Sequence, residues 1–175
     1  MELEDLLFDS SRKTAERAAK LVGDDPNRFK TVLDFALLDK PQFAMRAIRV
    51  IDLVSEQNPE LLLPYLPHLI ENIHKFKTIG LKRGFARILS EQNYFYNEDH
   101  AGRLVHTCFN WLNDPAEAIA LKIYSMTILY KISNTYPEIK PELISSIENE
   151  IPKNSAAIKG RGRRILKRLY KEVGR

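Results

Sequence analysis

The sequence predicts an all-α fold built from about four helix pairs with one further helix closing the row. Three observations carry this. Apolar residues recur at helical intervals along almost the whole chain, no stretch alternates as a strand would, and one short pattern returns every 36–40 residues.

Helical spacing is clearest in "AMRAIRVIDLV", with Met45, Ile48, Val50, Ile51 and Val54, and in "RLVHTCFNWL", with Leu104, Val105, Cys108, Phe109 and Leu112. Start signals precede several runs. Asp25-Pro26, Asn58-Pro59 and Asp114-Pro115 each place a capping side chain before a proline. The cap accepts an orphan backbone N–H, and proline costs nothing in the first turn. Asp114 and Glu117 have the spacing of a capping box. The helices expected are 10–22, 26–38, 41–56, 59–74, 78–91, 97–112, 115–134, 137–151 and 155–173. Pro64 and Pro67 should split 59–74 into a short turn and a helix proper.

The returning pattern is a small, an apolar and a basic residue near a helix start. Its copies are Ala44-Met45-Arg46, Gly80-Leu81-Lys82, Ala120-Leu121-Lys122 and Ala157-Ile158-Lys159. An Ile-Leu pair follows in three copies, at 88–89, 128–129 and 165–166; in the copy at 44–46 the corresponding place holds Asp52-Leu53. Such a period with two helices per unit describes stacked pairs, because a lone pair cannot bury its own apolar faces. "DKPQFAMRAIRVIDLV" and "NPELLLPYLPHLIENI" resemble the first and second helices of the HEAT-repeat and armadillo-like family. The resemblance implies a right-handed α-α superhelix: a single domain over 1–175, with a divergent pair at 10–38, three repeats over 39–152 and a capping half-repeat at 153–175. It implies a protein-binding scaffold and specifies no activity.

Composition bounds the function. The chain has 175 residues, 44% hydrophobic and 29% charged, and no apolar run long enough for a membrane span. The first residues, "MELEDLLFDSSRK", lack the features of a signal peptide. One cysteine, Cys108, permits no internal disulfide, and a reducing cytoplasm is the expected compartment. The net charge of +4 is unevenly spread: residues 153–175 carry +8 and residues 1–152 carry −4. On the last helix Ile158, Gly162, Ile165, Leu166, Leu169 and Val173 share one face, and Arg163, Arg164, Lys167, Arg168 and Lys171 share the opposite one. Gly162 sits among the apolar residues, which predicts close approach to the preceding helix. A second basic cluster, Lys75, Lys77, Lys82, Arg83 and Arg87, is interleaved with Phe76 and Phe85. These ten basic residues are the expected partner-binding set, forming one ridge if the two clusters adjoin.

Sites for chemistry are not apparent. His100 and His106, like His68 and His74, are six apart and diverge on a helix, a poor metal spacing. Cys108 lies in an apolar run and reads as a small hydrophobe. No phosphate-binding glycine loop or hydrolase motif occurs. No catalytic residue, cofactor or metal is therefore expected. The sequence resembles the HEAT-like DNA alkylation-repair glycosylases in architecture and repeat length. That family pairs a basic concave groove with a catalytic aspartate and tryptophans. Here the second helices carry nine acids, Glu150 among them, against five bases, and Trp111 is the one tryptophan, reading as core. A protein partner is thus the leading expectation and nucleic acid bound on the two basic clusters the alternative. A repeat module working inside a larger complex is a third. The aromatic trio Tyr94, Phe95 and Tyr96 should fold back onto the core.

Overall fold

The structure, a computed structural model, describes residues 7, 11–94 and 96–174. Among these, nine α-helices and four 3₁₀ segments occur and no strand. The helices are α1 (Arg12–Val22), α2 (Pro26–Leu37), α3 (Pro41–Gln57), α4 (Leu66–Asn72), α5 (Ile79–Glu91), α6 (Glu98–Asn113), α7 (Ile119–Ser133), α8 (Lys140–Glu150) and α9 (Ala156–Glu172). The chain divides into two compact units, Met1–Tyr94 and Phe95–Arg175, so the boundary falls in the aromatic connection. Phe95 and Arg175 lie outside the described residues, as does the residue at which the first helix was expected to begin.

Each unit has two layers. In the first, α3 packs between α1 and α5, while α2 and the Pro59–Tyr65 3₁₀ segment lean on α3. In the second, α7 packs against α9 in one layer, with α6 and α8 adjoining in the other. First helices neighbour first helices, as stacking of pairs requires. Helix α7 meets α6, α8 and α9, so its faces are apolar all round, with Leu121, Met126, Ile128, Leu129 and Ile132 buried.

Local chemistry explains most boundaries. Ser11, Asp25 and Asn97 cap α1, α2 and α6, accepting from the N–H of Thr14, of Asn27 and Arg28, and of His100. Pro64 and Pro67 divide the fourth predicted helix: residues 59–65 are 3₁₀ and the α-helical part begins at Leu66. Two expectations fail. Asn58 makes no cap; its side-chain amide donates instead to the Gly23 carbonyl at 3.2 Å, tying the end of α3 to the end of α1. The capping box at Asp114 does not form. Asp114 accepts from Ala116 N at 2.9 Å and Glu117 from Ala118 N at 2.9 Å, so both side chains close a turn and α7 starts at Ile119 rather than 115.

The repeat also needs one correction. In α7 the buried residues are Leu121, Lys122, Ser125, Met126, Ile128, Leu129, Ile132 and Ser133. Helix α3 matches that spacing with half-buried Phe43 and buried Ala44, Ala47, Ile48, Val50, Ile51, Val54 and Ser55. The counterpart of Ile128-Leu129 is therefore Val50-Ile51, not Asp52-Leu53. The triplet Ala44-Met45-Arg46 is two residues out of step, and Met45, matched by letter to buried Leu81 and Leu121, is exposed. In α9 the close approach at Gly162 is present: a Cβ there would lie 2.9 Å from Ile147 Cγ2 and 3.2 Å from Ile151 Cγ1.

Candidate functional site

The basic residues singled out by sequence lie on α9 in the second unit and before and along α5 in the first. In the second unit, α9 buries Ile158, Gly162, Ile165, Leu166 and Leu169 and leaves Arg163, Arg164, Lys167, Arg168 and Lys171 exposed. Arg163, Lys167 and Lys171 recur every four residues, about 6 Å apart along the axis. With Leu166 and Tyr170 they line a shallow depression of about 400 Å³. The described acid of this helix, Glu172, is engaged chiefly by partners on α7 and α8. It accepts from Lys140 at 2.9 Å and from the Tyr130 hydroxyl at 2.7 Å, and those bonds hold its carboxyl below the usual range. Tyr170 donates to Glu148, and Arg168 lies over the Tyr130 ring, 5.8 Å from its centre.

In the first unit the set separates. Lys75, Lys77 and Arg83 are exposed and Lys82 is half-buried. Lys75 donates to Asn72 at 3.2 Å. Arg87 is committed elsewhere. Its guanidinium reaches Asp52 at 3.0 Å, Glu91 at 2.9 Å and Glu56 at 3.9 Å. Burial raises the Asp52 carboxyl to about 6, against the opposing pull of Arg87. These three acids are the described group close enough to share a metal ion, and the arginine already supplies their positive charge. Phe85 is buried, with Phe76 tilted against it at 5.8 Å, so the interleaved aromatics serve the core.

Other candidates take structural places. Trp111 is buried, and Cys108 is fully enclosed, with burial pushing its thiol up to about 12. His106 meets Asn110 at 3.1 Å, and His68 meets Asn72. Tyr94 turns inward, and burial pushes its phenol up to about 12. Two features escaped the sequence. Lys122, in the basic place of its triplet, is buried and donates to buried Glu150 at 2.6 Å. Glu150, one of the nine acids of the second helices, faces a buried cation. Asp39, at φ 52°, accepts from Lys77 N at 2.6 Å and Thr78 N at 2.9 Å, clamping the end of α2 to the start of α5.

Paired helices in two layers within each unit, first helices packed on first helices, define an all-α helical-repeat protein. Residues 3–169 match the family model described as a HEAT repeat domain, and the chain belongs to the HEAT-repeat family. No curated protein and no solved structure matches it. No helix among the described residues is long and apolar enough to cross a membrane.

Proposed function

We propose that this chain is a non-catalytic helical-repeat protein that holds a protein partner on its cationic faces. The observation that carries the reading is α9. Its apolar face is seated on Ile147 and Ile151 through Gly162, which fixes the helix in place, while Arg163, Arg164, Lys167 and Lys171 stay exposed. The same unit pairs its buried charges internally, at Lys122–Glu150, and ties Lys140 to Glu172 nearer the surface. A fixed row of cations pays less ordering entropy on binding than a loose basic arm would. Leu166 and Tyr170 in the same depression supply apolar contact beside the charge.

The test is cross-linking of the full chain in cell extract with a photoreactive group at Lys159, followed by mass spectrometry. A protein adduct that disappears in the Arg163→Glu, Arg164→Glu, Lys167→Glu variant supports the reading. DNA or RNA binding that falls steeply with salt and is lost in the same variant, without a protein adduct, contradicts it in favour of nucleic acid.

A further inference from the structure

Three large apolar side chains of the first unit stand far out of the surface: Ile79 at 61%, Met45 at 56% and Leu38 at 55% exposure. Two joints put them in one place. Asp39, next to Leu38, accepts from the N–H of Lys77 and Thr78, immediately before Ile79. Met45 lies across Gly80, where a Cβ would come within 2.9 Å of its Cγ and 3.1 Å of its Sδ. One patch thus spans the end of α2, the second turn of α3 and the first turn of α5.

Its surroundings are cationic. Lys77 precedes Ile79 by two residues, and Lys82 and Arg83 follow it at helical neighbour positions. Arg49 stands one turn beyond Met45. The nearby acids are engaged: Asp39 with two backbone N–H groups, Asp34 with Lys30, and Asp52, Glu56 and Glu91 around Arg87.

We propose that Leu38, Met45 and Ile79, with Lys77, Lys82 and Arg83 beside Ile79, dock an acidic amphipathic helix of a protein partner. This rests on the reading of the chain as a protein-binding repeat and names a second contact for it. The apolar row of such a helix covers the three side chains, and carboxylates one turn away meet the cations, which is the helix-on-surface mode of recognition. Methionine suits the centre because it repacks readily around different shapes. An apolar centre offers nothing to a phosphate backbone, whose affinity comes from charge. Three side chains are also a small face for insertion into lipid.

The test is methyl NMR of the full chain titrated with a synthetic helical peptide carrying leucines at i, i+3, i+4 and i+7 flanked by glutamates. The Met45, Ile79 and Leu38 methyls should shift and saturate, and Ile79→Glu or Lys82→Glu with Arg83→Glu should weaken binding about tenfold or more. Met45→Gln provides a milder variant at the same surface. Unmoved methyls, equal affinity for Ile79→Glu, or equal binding of the lysine version of the peptide overturns the proposal. Binding to phosphatidylserine vesicles instead, or shifts that track protein concentration without peptide, reassigns the patch to lipid or to a second copy and overturns it too. If the cross-linked partner stays bound to Ile79→Glu, the patch falls and protein binding stands. If no protein adduct forms at all, the broader reading falls.

Discussion

Lys122 Nζ lies 2.6 Å from Glu150 Oε2, and both side chains are almost fully buried, at 3% and 5% exposure. The pair joins α7 to α8 at the heart of the second unit, and Asn154 donates to the same carboxylate at 2.8 Å. Two charges withdrawn from water cost several kcal/mol each, and their attraction offsets this only while both are present. Lys122→Ala or Glu150→Ala should therefore destabilise by about 3–5 kcal/mol. Lys122→Met with Glu150→Leu should recover most of that loss. Urea denaturation of the three variants checks this, and a double variant as unstable as the singles would count against it.

Gly162 and Gly160 make an internal control on one helix. A methyl at 162 meets Ile147 and Ile151, whereas one at 160 meets nothing within 4 Å. Gly162→Ala should lower stability by about 1–3 kcal/mol from overpacking, less the gain in helix propensity. Gly160→Ala should raise it by about 0.5–1 kcal/mol. Thermal melts that move in the same direction for both would contradict the seating of α9.

Asp39 clamps the start of α5. Its partial burial favours the neutral acid, but the N–H groups of Lys77 and Thr78 outweigh that and hold the carboxyl below its ordinary value. A depressed carboxyl stabilises the fold above its unfolded value, near 4, and loses that contribution as pH falls through the folded value. Asp39→Asn tolerates the positive φ but forfeits the charge. It should be less stable than the parent at pH 7 and converge with it as pH falls through the folded value of the Asp39 carboxyl. A stability gap independent of pH would show that the carboxylate charge is not what holds the joint.

Asp52 runs the other way. Its carboxyl is raised to about 6, so the folded state holds the proton more tightly than the unfolded one. Its contribution to stability therefore grows as pH falls from above 6 toward 4 and is absent at high pH. Carboxyl NMR should find the Asp52 midpoint near 6. Arg87→Gln should raise it further, because the guanidinium opposes the shift. A midpoint in the ordinary range near 4 would mean that the site is wetter than its burial implies.

The helices and their period were legible because core faces repeat at 3.6 residues and prolines mark the starts. The basic face of α9 was legible for the same reason: its apolar residues claim one side and leave the charges the other. What escaped depended on partners distant in sequence. Lys122 and Glu150 are 28 residues apart, and each alone resembles an ordinary surface charge. Arg87 looked available because Asp52 and Glu56 lie on a different helix. Met45 has the spacing of a core residue, since letters alone do not separate an apolar residue facing a neighbour from one facing water. The false step at Met45 followed from that, and the buried set of α3, Ala44, Ala47, Ile48, Val50, Ile51, Val54 and Ser55, corrects it. Asp114 signalled a helix start, yet its carboxylate found a nearer N–H and closed a turn instead.

Cross-linking from the α9 face tests the central claim most directly. The account predicts a discrete protein adduct on the parent chain that is lost when Arg163, Arg164 and Lys167 become glutamates, with the variant still folded by circular dichroism. An adduct of equal yield on the charge-reversed chain, or nucleic acid in place of protein, would contradict it.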